Sequence, residues 1–162
     1  MSEGTFHVVK EEYMRIAIQE ALRAVESGDH PVGAVVVRGD AIIAQAGNRV
    51  HVEQDPTQHA EMVAIRQAAQ TLRSRSLQGC VLYVTHEPCP MCASATILAR
   101  MHGIVCGTSM EDVVLYAQEA TAWRWRTINV PASVVLEKGD HELFLVQRLL
   151  WNECRALFDR VV

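Results

Sequence analysis

Long apolar runs, a targeting segment and an excess of positive charge are all missing from this chain. No stretch approaches the roughly 18 apolar residues of a membrane-spanning helix. The start, Met1-Ser2-Glu3-Gly4-Thr5, lacks the basic and apolar regions of a secretory signal, so a cytoplasmic protein is expected. The net charge of −4 gives no global attraction toward nucleic acid and favours a small-molecule ligand. Arg124 and Arg126 are the candidates for a local basic patch. Repeats, low-complexity tracts and linkers are also missing, so residues 1–162 read as one domain, long enough to bury about 70% of the unfolded surface. The five cysteines, an odd number without an export signal, read as reduced thiols, two of them ligands and three in the core.

What is present begins with a stripe of Met14, Ala17, Ile18, Ala21, Leu22 and Val25, which predicts a helix over 10–27 ended by Gly28. Residues 32–38 and 41–46, joined by Gly39-Asp40, predict an antiparallel hairpin with both runs buried. Asp55 reads as an N-cap, with Pro56 at the first helical position and Gln58 closing a capping box. His59 then falls in the first turn of a helix whose apolar face carries Met62, Ile65, Ala69 and Leu72. Residues 80–85 predict a third strand, and His86-Glu87-Pro88 turns the chain into a helix starting at Cys89 and Pro90, with Ala95, Leu98 and Ala99 inward. Residues 103–107 predict a fourth strand. Strands separated by helices imply parallel crossovers, hence an α/β three-layer helix–sheet–helix sandwich. Beyond it, 111–119 reads as a helix, 133–137 as a fifth strand, and Leu143, Val146, Leu150, Leu157 and Val161 as one face of a C-terminal helix. Residues 121–126 show no usable period.

His59, Glu61, Cys89 and Cys92 carry the chemistry. An imidazole and two thiolates give zinc three protein ligands and leave its fourth tetrahedral position to water, which marks a catalytic site. Glu61, two residues after His59, is placed to move a proton between that water and a leaving nitrogen. Two alternatives stay open: a redox pair of Cys89 and Cys92, or a structural zinc closed by His86, Cys80 or Cys106.

With Asp55-Pro56-Thr57-Gln58-His59-Ala60-Glu61, Tyr83-Val84-Thr85-His86-Glu87-Pro88-Cys89-Pro90-Met91-Cys92 and Pro31-Val32-Gly33-Ala34-Val35 on the page, residues 10–108 resemble the cytidine deaminase-like zinc deaminases. Within them the likeness is to the branch of bacterial tRNA adenosine deaminases and guanine deaminases. The resemblance implies a five-stranded mixed sheet between helices and a homodimer with each active site near the partner subunit. It implies one zinc ion per chain on His59, Cys89 and Cys92, a bound catalytic water, and Glu61 as the proton shuttle. Asn48 matches a base-binding asparagine, and the backbone of Ala60 matches an amide that donates to the ring. The main-reading substrate is a free base-like heterocycle, such as a guanine-type purine, cytosine or an amino-triazine. Thr108-Ser109-Met110-Glu111-Asp112-Val113 departs from the segment typical of the tRNA enzymes, and their basic C-terminal helix is missing, so editing of tRNA adenosine is the alternative and nucleic acid an unexpected partner. A zinc-stabilised, non-catalytic binding protein is the second alternative. Guanine deaminases carry a second acidic residue about thirty positions beyond the first cysteine, which relays protons to the purine; Ala120 stands in that slot, and its neighbour Glu119 is the candidate for the role, or else a solvated charge at a helix end. His86 reads as a substrate-edge hydrogen bond, a charge sensor near neutral pH, or an exposed turn residue. Trp123 and Trp125 read as stacking or interface residues.

Overall fold

The structure is a computed structural model that describes residues 7–120 and 125–161. Helix α1 (Glu11–Glu26) leads into a hairpin of β1 (Gly33–Arg38) and β2 (Ala41–Gly47). A single-turn α2 (Val50–Glu53) precedes α3 (Ala60–Leu72), followed by β3 (Cys80–His86), α4 (Pro90–Leu98) and β4 (Gly103–Thr108). The remainder is α5 (Met110–Glu119), α6 (Ala132–Leu136), β5 (Phe144–Val146), α7 (Trp151–Ala156) and a closing 3₁₀ turn (Leu157–Arg160). The five-stranded sheet has the order β2-β1-β3-β4-β5. β1 pairs antiparallel with β2 and with β3, whereas β3, β4 and β5 run parallel, so the sheet is mixed.

Side-chain alternation along the strands divides the core into two layers. Val35, Val37, Val81, Tyr83 and Val105 face Met14 and Ala17 of α1 and Cys154 of α7. Ala34, Val36, Leu82, Val84 and Ile104 face Ala60, Val63, Ala64 and Ala68 of α3. The expected three-layer sandwich is therefore present, with β3 and β4 buried along their whole length. Among the described residues no helix is long and apolar enough to cross a membrane.

Helix α1 lies unusually close to the hairpin. Gly33 and Gly47 are register partners. A Cβ on Gly33 would overlap the Ala17 carbonyl, and one on Gly47 would lie 2.6 Å from the Glu20 carbonyl oxygen. Only glycine admits such an approach of helix main chain to strand.

Several local expectations are corrected. β2 is half exposed, because it is an edge strand and shows Ala41, Ile42 and Gln45 to solvent. Asp55 does not cap α3: its carboxylate accepts from the Thr57 backbone N–H (2.8 Å) and hydroxyl (2.7 Å), an Asx turn, and α3 starts at Ala60. The buried face of α3 is Ala60, Val63, Ala64, Ile65 and Ala68, while Met62, Ala69 and Leu72 are half buried. Leu98, expected inward, is 82% exposed, and Thr96 is buried instead. Residues 133–137 form α6 and its C-cap, not a strand. The fifth strand is β5, inside the stretch expected to be a single C-terminal helix.

Candidate active site

His59 and Cys89 occupy equivalent positions, each the N-cap residue of a helix with extended backbone, α3 and α4. Pro90 at the first position of α4 suits a helix start, and Cys92 lies one turn in. The three donor atoms form a triangle: Cys89 Sγ to His59 Nδ1 3.7 Å, Cys92 Sγ to His59 Nδ1 3.6 Å, and Sγ to Sγ 3.8 Å. Tetrahedral zinc, with bonds of about 2.3 Å to sulfur and about 2.05 Å to nitrogen, puts its sulfurs about 3.8 Å apart and sulfur from nitrogen about 3.6 Å. The donor set fits zinc in chemistry and in spacing. Among the described residues the group that could hold a metal is His59, Cys89 and Cys92, without His86, Cys80 or Cys106.

Glu61 sits in the first turn of α3, 3% exposed, and its Oε2 is buried without a hydrogen-bond partner. Burial pushes the carboxyl up to about 7, against the attraction of His59. A hydrogen bond with Cys92 and then one with His59 bring the Cys89 thiol down to about 4, while Cys89 and burial hold Cys92 well above its usual range. The two sulfurs thus share one negative charge. A dication among them favours the thiolate on both. Burial opposes a charge on His59, yet the Cys89 contact and the Glu61 carboxylate outweigh it and raise the imidazole.

Other expected residues fall on two sides of this centre. Asn48, 5% exposed, directly follows β2 and its Nδ2 donates to Asp29 Oδ1 at 2.8 Å. Ala60 opens α3 and is buried, so its N–H belongs to a helix start with no intrahelical acceptor. His86 ends β3 and is 8% exposed, which removes the exposed-turn reading. Its Nδ1 lies 3.1 Å from Thr108 Oγ1, and its ring meets Trp125 (centroids 5.2 Å) and Phe158 (5.9 Å). Burial holds the imidazole down at about 3, so it is neutral near pH 7 and cannot sense charge there. His30 stacks on Trp125 at 5.7 Å and meets His51 edge-on at 4.6 Å. The charge of His59 is a minor one among the causes that lower the His30 and His86 imidazoles, after burial. Glu119 is the exposed last residue of α5, where a solvated helix-end charge belongs. Trp123 and Arg124 lie outside the described residues.

Two buried acids were not singled out by sequence reasoning. Glu87, 1% exposed, accepts from Met110 N, Ala132 N and Gln147 Nε2, each at 2.7 Å. It joins the loop carrying Cys89 to α5, α6 and the segment after β5. Asp29, 2% exposed, binds Asn48 and three backbone N–H groups. In sequence each looks like an ordinary loop acid; the one available signal for Glu87 is its position between an apolar strand and Pro88-Cys89.

A family model for the cytidine and deoxycytidylate deaminase zinc-binding region matches residues 8–108. The chain is 47% identical over 96 residues to a tRNA-specific adenosine deaminase of Aquifex aeolicus, covering 59% of this chain and 64% of that protein. It is 44% identical over 103 residues to a guanine deaminase of Bacillus subtilis, covering 63% and 66%. The matches thus span less than two thirds of either relative. A solved structure from work on A-to-I editing by tRNA:A34 deaminases at the wobble position superposes with a TM-score of 0.72 and 30% identity, over 91% of this chain and 99% of that one. The sequence resemblance to the tRNA adenosine and guanine deaminase branch therefore holds. The relatives weigh toward the tRNA substrate that the sequence reading placed second. With the triad, the buried Glu61 carboxylate and these matches together, the chain belongs to the cytidine and deoxycytidylate deaminase zinc-binding family.

Proposed function

We propose that residues 1–162 form one zinc-dependent deaminase domain that hydrolyses an amino-substituted purine-type ring to its oxo form, with adenosine in tRNA as the leading substrate. The observation that carries the reaction class is the buried, unpartnered Glu61 Oε2 beside the His59, Cys89 and Cys92 donor triangle. A zinc ion on those donors supplies the Lewis acidity that brings the pKa of a water molecule to about 7. Glu61 accepts a proton from the water and delivers it to a ring nitrogen, so the amine-bearing carbon becomes electrophilic. The water-derived hydroxyl bonds to that carbon, the same carboxyl takes the remaining hydroxyl proton and passes it to the amine, and ammonia leaves as the C=O bond forms. The water oxygen replaces the amine as the exocyclic carbonyl oxygen, one C–N bond breaks, and Glu61 ends as it began.

Asn48 and the Ala60 N–H orient the base, and the ring cluster of His30, His86 and Trp125 gives it a wall. Neutral His86 suits contact with an uncharged heterocycle. The Aquifex relative and the tRNA:A34 structure support tRNA. A free purine base is the second reading, supported by the Bacillus guanine deaminase and by the net charge of −4, which gives little pull toward a polyanion. Free cysteines at all five positions agree with a reducing compartment such as the cytoplasm. A homodimer completes the proposal.

Ammonia release from zinc-loaded protein decides among these on one panel: a tRNA anticodon stem-loop, guanine, adenine, cytosine, their nucleosides and amino-triazines. Inosine formed in the stem-loop, with salt-sensitive binding, supports the leading reading; turnover of a free base alone transfers support to the second. Silence on the whole panel rejects both. Sedimentation equilibrium on the same preparation reads the dimer.

A further inference from the structure

Asp29 lies in the loop between α1 and β1 and takes four hydrogen bonds on one carboxylate. Oδ1 accepts from Asn48 Nδ2 at 2.8 Å and from the His30 backbone at 2.9 Å; Oδ2 accepts from the backbones of His51 at 2.8 Å and Val52 at 2.9 Å. All four donors are neutral N–H groups, drawn from the loop before β1, the turn after β2 and helix α2. Burial alone would favour the neutral acid, yet these donors outweigh it and hold the group below the usual carboxylate range.

We propose that Asp29 is the positioning residue of the substrate wall. It rests on the deaminase reading above, in which Asn48 touches the base. An asparagine amide has two N–H groups and one oxygen, and by taking one N–H, Asp29 fixes which way the remaining N–H and the oxygen face. The same carboxylate ties down the backbones of His30 and His51, whose rings meet each other at 4.6 Å, with His30 stacked on Trp125. One acid therefore sets the orientation of the polar contact and the placement of the aromatic wall together. It does not touch the reacting atoms, and no metal ligand is among its four partners.

Asp29→Asn tests this in the zinc-loaded full chain, because it keeps the shape and replaces one acceptor oxygen with an NH2 that faces N–H donors. The expected result is a KM raised about 10- to 100-fold, with kcat changed by no more than a few-fold and zinc content unaltered. Asn48→Ala should act in the same direction, and the double variant should fall well short of the product of the two single effects, since part of what Asp29 does passes through Asn48. An unchanged KM, loss of kcat with zinc, or effects that multiply in the double variant would overturn the proposal. A readout that needs no substrate is the Asn48 side-chain amide in a ¹⁵N spectrum, assigned by its loss in Asn48→Ala. It should exchange slowly in wild type, then shift and exchange faster in Asp29→Asn; identical behaviour in both would also overturn the role. Wild-type silence on the substrate panel would reject the deaminase reading instead, while the amide signal still decides on Asp29.

Discussion

The metal-bearing part of the chain, up to the end of β4, and the segment after it differ in the length of their elements and in what buries them. Before Ser109 stand a 16-residue helix, a 13-residue helix and strands of six or seven residues, two of them buried throughout. After it, α5 has ten residues, but α6, β5 and α7 have five, three and six, and β5 is half buried. A three-residue strand has no stability of its own. It is held by β4 and by the Phe144 ring lying over Gly103, where any side chain would collide. α7 is held in the same way by Cys154 packed on Gly107. The earlier part therefore carries the reaction around long, deeply buried strands, and the later part contributes Trp125 and Phe158 to the rings beside His86.

The largest expected effect would break that division on the catalytic side. Glu61→Ala should lower kcat/KM by about 10³-fold while zinc stays bound. His59→Ala and Cys89→Ala should lose metal as well as turnover, as elemental analysis would show. A Glu61→Ala enzyme with near-normal turnover would place the chemistry elsewhere.

The joint between the two parts is Glu87. Removing its carboxylate leaves two buried backbone donors, the Met110 and Ala132 N–H groups, unsatisfied and releases the Gln147 side chain, and Glu87→Ala should cost about 3 kcal/mol by urea unfolding. Hydrogen exchange should show α6 and β5 loosening more than α3. Uniform loosening would mean that the two parts form one cooperative unit.

A smaller effect sharpens the role of His86. Its folded pKa, about 3, lies below the unfolded value of about 6.5, so between these values the unfolded chain binds the extra proton. Its contribution is present above pH 6.5 and is lost as pH falls toward 3. Relative to His86→Gln, wild type should lose about 2 kcal/mol of stability between pH 7 and pH 5. Equal slopes in the two proteins would show that the imidazole is not held neutral by burial.

The same division decides how much was legible in the sequence. The stripe of α1, the hairpin and the strand-to-helix passage at Cys89 follow from local periodicity, and the structure keeps their ends within a few residues. The triad was legible because ligand type and spacing are chemical facts of the chain. Val134-Val135-Leu136 looked like a strand because its residues are β-branched or large, yet it forms a helical turn whose first N–H, on Ala132, is accepted by Glu87. Leu143 and Val146 matched a helical stripe, yet pairing with β4 draws residues 144–146 into the sheet. In both places a tertiary partner overrides propensity, as it does most readily in elements of one turn or three residues. Asp55 misled because Asp-Pro serves an Asx turn as well as a helix cap. Asp29 was invisible because nothing local distinguishes a loop acid that gathers four donors from one that faces water.

The glycine pair at the end of the hairpin bears on how such a site can change its preference. At Gly33 and Gly47 the spacing between helix α1 and the sheet is set by main chain against main chain, with no side chain between them. Asp29 and His30 lead into this end, and Asn48 leaves it. Exchanges at positions 30, 51 or 125 therefore alter the surface offered to a ligand without altering the frame that presents it. Drift in specificity along a lineage can proceed by single exchanges there, while the reaction and its metal stay where they are.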